Sequence, residues 1–211
     1  MLIALGLGNP GKEYDGTRHN VGKEVVAGLI AERHLRLSAG LGYYRFARDP
    51  ARELVLAVST IYVNTSGHAA RGVLDHFGAP VESLLVVCDD FALPLGAIRM
   101  RKQGSYGGHN GLASIIYDLS SESFPRLRIG VGPLPEGADA AEFVLSRFSA
   151  DEVPPIEEAK GLARQALLAA ADAGLDRAMT TYNRVPDRDS DAEGIDVDGD
   201  PDGPGEEKRW K

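Results

Sequence analysis

Short apolar runs ended by glycine or proline alternate along this chain with longer stretches of helical period. Residues 2–7 are apolar apart from Gly6 and stop at Gly8-Asn9-Pro10-Gly11, the pattern of a short buried strand. Over 21–37, Val21, Val25, Leu29 and Leu35 recur between charged residues at helical spacing, which predicts an amphipathic helix. Residues 43–48 and 54–59 read as two strands joined by a polar turn around Asp49-Pro50. A helix is expected over 66–77, with Gly78 as its stop, followed by a central parallel strand over 83–88. A short alternating strand at 98–102, a helix at 112–119, a strand at 126–131 and a long alanine-rich helix over 154–181 complete the reading. Strands interleaved with helices predict one α/β domain, a mixed sheet covered by helices.

The last 26 residues break this pattern. Residues 186–211 carry ten acids against four bases and almost nothing to bury, so a disordered acidic tail is expected beyond a domain of residues 1–185. Within it, Asp198-x-Asp200-x-Asp202-Gly203 imitates the start of a calcium loop. Arg209 stands where that loop needs a bidentate glutamate, so no metal is expected. The tail accounts for −6 of the net charge of −8, which leaves the body at −2. A nearly neutral body has room for a local basic patch, so the acidic total does not exclude a nucleic-acid partner.

The remaining composition narrows the class. The single cysteine, Cys88, excludes an internal disulfide and suits a reducing compartment. It reads as a small core residue of its apolar strand rather than a nucleophile. No apolar stretch approaches the roughly 20 residues that span a bilayer, and the N-terminal run is too short for a signal peptide. A cytoplasmic protein with no membrane partner is expected.

Chemistry gathers in the loops. Gly6-Leu7-Gly8-Asn9-Pro10-Gly11 fits a dinucleotide fingerprint after a strand. However, Pro10 lacks a donor N–H and the helix is delayed to about Asn20, so the phosphate-binding amides are displaced. The alternative is a loop that presents side chains: Asn9, Tyr14, Arg18, His19 and Asn20 lie between the strand end and the helix start. Open α/β sheets place their sites at such carboxyl ends. His19, just before a helix N-terminus, is expected to be held neutral and able to accept a proton. His19-Asn20 also reads as a simple cap. Asp89-Asp90 follows the strand at 83–88, and a carboxylate there is placed to orient a histidine or to sit as a solvated turn acid. Thr65 or Ser66 would cap the helix at 66–77. The glycines around His109-Asn110 permit close approach of a ligand, while Asn110 also suits a cap. His34, His68 and His76 read as surface or core histidines.

Taken in order, Gly8-Asn9-Pro10-Gly11 with Tyr14 and Thr17-Arg18-His19-Asn20, Asn64-x-Ser66-Gly67, Asp89, Gly107-Gly108-His109-Asn110-Gly111 and the run 126–132 resemble bacterial peptidyl-tRNA hydrolase over about residues 1–184. The resemblance implies a twisted mixed sheet surrounded by helices, and an enzyme that cuts the ester between a peptide and the 3′ ribose of tRNA. It implies His19 as catalytic base with Asp89 as its partner, and Asn9, Asn64 and Asn110 lining the site. Asn9 or Asn110 would stabilise the oxyanion. Tyr14, Tyr62, Val63 and His109 match substrate-contacting positions, and Arg101 and Arg128 match a basic pair that holds a tRNA phosphate. Arg99, Lys102 and Arg126 are expected to extend that patch. No cofactor or metal is implied, and the family precedent is a monomer. Val63 replaces the family's usual Met, Cys88 a His, Ala92 an acid, and Tyr106 a small residue or His. The family's plant splicing factors supply an alternative, a non-catalytic RNA-binding relative on the same scaffold.

Overall fold

The computed structural model describes residues 1–183. The expected acidic tail and its calcium-like run lie outside the described residues.

Among the described residues, seven strands form one sheet in the order β2-β3-β4-β1-β5-β7-β6. They are β1 (Leu2–Gly6), β2 (Ser38–Ala39), β3 (Tyr44–Asp49), β4 (Leu54–Ser59), β5 (Leu84–Pro94), β6 (Ile98–Arg101) and β7 (Arg126–Gly132). The central strands β4, β1, β5 and β7 run parallel, and β2, β3 and β6 add antiparallel edges. The central strands are buried on both faces, which is why they read as continuous apolar runs. Ala4, Leu56, Leu85 and Val87 point to one core, packed by α1 (Val21–Glu32), α5 (Val153–Ala173) and α6 (Leu175–Tyr182). Ile3, Leu5, Val55, Val86 and Cys88 point to the other, covered by α2 (Ser66–Phe77) and α3 (Asn110–Leu119). Alternation along each strand thus divides the apolar side chains between two helical layers.

Most expected elements form, with four informative differences. Helix α1 stops at Glu32 rather than near Leu37, because His34 takes a left-handed backbone (φ 51°). The long C-terminal helix is two helices broken at Gly174 (φ 84°, ψ 160°). Strand β5 continues six residues past its apolar run, since the backbone of Asp89 and Asp90 pairs with Ile129 and Gly130 of β7. A short helix, α4 (Ala140–Leu145), was not anticipated. Its signal was present: Asp139 and Glu142 have capping-box spacing before an apolar run, and Asp139 Oδ1 accepts the Glu142 N–H at 2.9 Å.

Two glycines set how closely α1 lies on the sheet. A Cβ on Gly22 would fall 2.2 Å from the Val87 carbonyl oxygen, and one on Gly6 2.6 Å from that of Gly22. The start of α1 therefore rests directly on β1 and β5, beside Asp89.

Candidate active site

The site is organised by a single 3₁₀ turn, Arg18–Asn20, that runs directly into α1. Its three side chains diverge. Asn20 holds the loop after β1 at both sides of one residue: its Oδ1 accepts the Asn9 N–H at 2.7 Å, and its Nδ2 donates to the Asn9 carbonyl at 3.1 Å. Lys23 Nζ donates to the same carbonyl at 3.1 Å. His19 turns inward, placing Nδ1 2.8 Å from Asp89 Oδ1. Arg18 turns the other way, toward Glu152.

Asp89 is 3% exposed and receives a second imidazole. His109 Nε2 lies 3.1 Å from the same Oδ1. The tautomer of His109 follows from its other nitrogen, since Nδ1 accepts the backbone N–H groups of Gly111 and Leu112 at 3.1 and 3.2 Å. The proton therefore sits on Nε2 and is donated to Asp89. His109, not Asn110, is the N-cap of α3, and Asn110 is its first helical residue.

Burial alone would raise the Asp89 carboxyl. The charges and hydrogen bonds of His109 and His19 outweigh it and hold the group well below the usual carboxylate range. For His19, burial favours the neutral ring, but the charge and hydrogen bond of Asp89 prevail and raise its pKa above the ordinary histidine value. The expectation that the helix terminus would disfavour the cation is thus reversed, because the carboxylate is in contact with the ring. Burial, reinforced by Asp89, pushes the Cys88 thiol strongly up, so it stays protonated and inert.

Above this trio lies a cleft of about 500 Å³ lined by residues from all the loops singled out in the sequence. Asn9, His19, Tyr62, Val63, Asn64, Asp89, His109, Asn110 and Arg128 are on its walls. Asn9 is oriented by the protein: its Oδ1 accepts the Val63 N–H at 2.9 Å, which fixes Nδ2 as the end left to the cleft. Tyr14 does not line the cleft but packs edge-on against Tyr62, with ring centroids 6.2 Å apart. Tyr106 lines it from an exposed position. Asp139, Ala140, Ala141, Val144 and Leu145, that is, α4 and its cap, also line it.

The nitrogens and oxygen of His19, Asp89 and His109 lie within 4.8 Å of one another, close enough for three metal ligands. Here, however, both nitrogens that face Asp89 act as hydrogen-bond donors to one oxygen, and a metal would have to displace both protons. The trio fits a proton-holding arrangement better than a metal centre.

The other polar expectations divide. Neither Thr65 nor Ser66 caps α2: Thr65 Oγ1 donates to the Tyr62 carbonyl at 2.8 Å, and Ser66 Oγ is buried without a partner among the described residues. His68 pairs with Asp118 at 2.9 Å, and His76 Nδ1 lies 2.9 Å from the Tyr44 hydroxyl.

On β6 and β7, Arg99 faces Arg128 and Arg101 faces Arg126. Arg101 and Arg128 are therefore diagonal neighbours on one sheet face. Arg101 is exposed, whereas Arg128 is half-buried and bonded to Asp90 Oδ2 at 3.2 Å. Arg126 does not join a phosphate patch. It is fully buried, donating to the carbonyls of Ser105, Glu122 and Phe124, because β7 inserts it beneath the loop that carries Tyr106. Lys102 is engaged by Asp176 at 2.6 Å.

Comparison with known proteins agrees with this geometry. Residues 3–191 match the model of the family described as peptidyl-tRNA hydrolase. Among curated relatives, the peptidyl-tRNA hydrolase of Caldanaerobacter subterraneus subsp. tengcongensis is 42% identical over 87% of this chain and 100% of its own length. That of Salinibacter ruber is 42% identical over 86% of this chain and 97% of its own. A crystal structure of peptidyl-tRNA hydrolase from Acinetobacter baumannii superposes with a TM-score of 0.78 at 28% identity, covering 87% of this chain and 94% of that one. The chain belongs to the peptidyl-tRNA hydrolase family.

Proposed function

We propose that this enzyme hydrolyses the ester between the acyl carbon of an N-acylated aminoacyl group and the 3′ ribose of tRNA, with His19 as general base. The observation that carries the reading is the 2.8 Å contact between His19 Nδ1 and Asp89 Oδ1 beneath the cleft. With Nδ1–H committed to Asp89, the lone pair is on Nε2, which has no partner among the described residues. Nε2 takes a proton from water as the water oxygen attacks the ester carbon, and Asp89 stabilises the imidazolium that results. The developing oxyanion is met by Nδ2 of Asn9 or the amide of Asn110. The ester C–O bond then breaks, and the imidazolium returns its proton to the ribose oxygen. The products are a free peptide acid and tRNA.

Around this centre, Tyr14, Tyr62, Val63, Asn64, His109 and Asn110 are assigned to substrate contact. The exposed Arg101 and the cleft-side Arg128 are assigned to tRNA phosphate, as guanidinium suits such contact. The neutral amides account for selectivity. They pair well with a peptide N–H and C=O, but satisfy poorly the desolvated ammonium of an aminoacyl-tRNA, whose α-amine is free. We assign the catalytic domain to residues 1–185 and infer a cytoplasmic monomer. The single cysteine supports a reducing compartment, and no helix among the described residues is long and apolar enough to cross a membrane. No feature of the site favours the non-catalytic RNA-binding alternative, because the base, its carboxylate and three asparagines stand together.

Incubation with N-acetylaminoacyl-tRNA and with aminoacyl-tRNA tests the reading: the first is cut and the second spared. His19→Ala is expected to lose about 10²–10⁴ in kcat while keeping tRNA affinity. A variant at full rate rejects His19 as the base.

A further inference from the structure

Arg18 stands beside His19 in the same turn yet touches nothing of the chemistry, and its side chain is nearly buried. Its Nη2 donates to both carboxylate oxygens of Glu152, at 3.0 and 2.8 Å, and its Nε to Ser146 Oγ at 3.3 Å. Its guanidinium carbon lies 4.5 Å from the centre of the Phe143 ring and 4.7 Å from that of Phe148. The backbone adds to the same seam: Arg18 N–H donates to the Ser146 carbonyl at 3.0 Å, and Thr17 forms an antiparallel bridge with Arg147.

All of these partners belong to one stretch, α4 and its connection to α5. Phe143 is in α4, Ser146 is its C-cap, and Phe148 and Glu152 follow. The same α4 lines the cleft through Ala140, Ala141, Val144 and Leu145. A six-residue helix with no residue fully buried has little apolar packing of its own to hold it. The arginine fixes it to the turn whose next residue is His19.

The charge on Glu152 is matched to this task. Burial would raise its carboxyl, but the Arg18 hydrogen bond and the Ser149 N–H together hold it below the ordinary glutamate value. It therefore stays ionised opposite the guanidinium. The planar cation over two rings also restricts how the turn can rotate, because stacking and in-plane hydrogen bonding are satisfied in one orientation. Nη1 is buried without an acceptor among the described residues, so the pairing is not one that maximises hydrogen bonds.

We propose that Arg18 is a positioning residue. It ties the α4 wall of the cleft to the His19 turn, so that this wall and the imidazole are held in one fixed relation. The proposal rests on His19 being the base. A wall free to drift would loosen the bound substrate and let the His19 turn rock away from Asp89. Because Asp89 is what raises the pKa of His19, a loosened contact moves the acid limb of kcat to lower pH.

The test compares Arg18→Ala, Arg18→Lys and His19→Ala for kcat, KM, the pH profile and thermal midpoint, using N-acetylaminoacyl-tRNA and a longer peptidyl-tRNA. Arg18→Ala is expected to lose about 10- to 100-fold in kcat, the scale of an ångström of misplacement. Its KM is expected to rise, and its acid limb to move to lower pH. Arg18→Lys keeps the ion pair but not the planar stack, and is expected to fall between the two with a thermal midpoint near the parent's. If Arg18→Ala lowers the midpoint alone, leaving kcat, KM and the acid limb at parent values, the residue is merely structural and the proposal is overturned. Should Arg18→Ala fail to fold, Arg18→Lys decides: kinetics within twofold of the parent overturn the proposal. Full activity in His19→Ala would instead remove the reading of His19 beneath it.

Discussion

The backbone N–H of Val63 turns the side-chain amide of Asn9. It donates to Oδ1 at 2.9 Å from the 3₁₀ turn Val63–Thr65 that leads into α2, and so leaves Nδ2 as the group offered to the cleft. In the proposed mechanism an oxyanion donor has to be held before the charge develops, and for Asn9 the holding is done by a residue 54 positions away.

An isosteric exchange separates this role from packing. Asn9→Asp keeps an oxygen for the Val63 N–H but places a second oxygen where Nδ2 was. With Asn9 as the oxyanion donor, kcat is expected to fall by about 10²–10³, with a thermal midpoint close to the parent's. Single-turnover hydrolysis of N-acetylaminoacyl-tRNA measures it, and a parent-like rate would assign the donor role to Asn110.

The pH profile tests the electrostatics of the pair. As the proposed base, His19 is competent when neutral, so kcat is expected to rise with pH through its pKa. Since Asp89 raises that pKa overall, the acid limb is expected above the ordinary histidine value of about 6.5. In Asp89→Asn the carboxylate charge is gone while burial remains, so the limb is expected to move to lower pH as the plateau falls. A limb that moves upward in this variant would contradict the assignment.

His109 has two duties that substitution can divide. His109→Ala removes the N-cap of α3 and one donor to Asp89, so stability should fall by about 0.5–2 kcal/mol together with kcat. Asparagine caps well but is too short to replace the imidazole at Asp89. His109→Asn is therefore expected to recover the denaturation midpoint without recovering kcat. Recovery of both would show that the link to Asp89 is dispensable.

Two glycines should respond with opposite signs. Gly22→Ala drives a methyl into the Val87 carbonyl, displacing α1 from β5, and is expected to cost about 1–3 kcal/mol. Gly161, in the interior of α5, has only an arginine end 4.0 Å from its added Cβ. Gly161→Ala is expected to stabilise by about 0.5–1 kcal/mol through helix propensity. Urea denaturation of the two variants checks both signs, and Gly22→Ala should also lose activity because the His19 turn rests on that contact.

The legible parts of this chain were those governed by local rules. The helix over 66–77 and its stop at Gly78 follow from apolar period and a left-handed glycine (φ 58°), and both stand as expected. The parallel strands were visible because burial on both faces leaves unbroken apolar runs. Polarity changes after Cys88 and ends the apolar run there, yet the backbone of Asp89 and Asp90 continues the ladder with β7. Pairing between distant strands is invisible to a local pattern. The same limit explains Arg126, which looks like its neighbours in the Arg-x-Arg run but is buried under the loop of Tyr106.

The sequence by itself determined the alternation that makes the sheet and its two helical layers. It also determined the order of polar loops that carries the family, because those features depend on residue types and their spacing. Only the tertiary structure decided that two histidines share one oxygen of Asp89, that Val63 aims Asn9, and that Arg18 ties α4 to the turn of His19. Each of those facts joins groups 20 to 134 residues apart. Such contacts are set by how the strands order and how closely α1 settles on β1 and β5, and no local propensity encodes them.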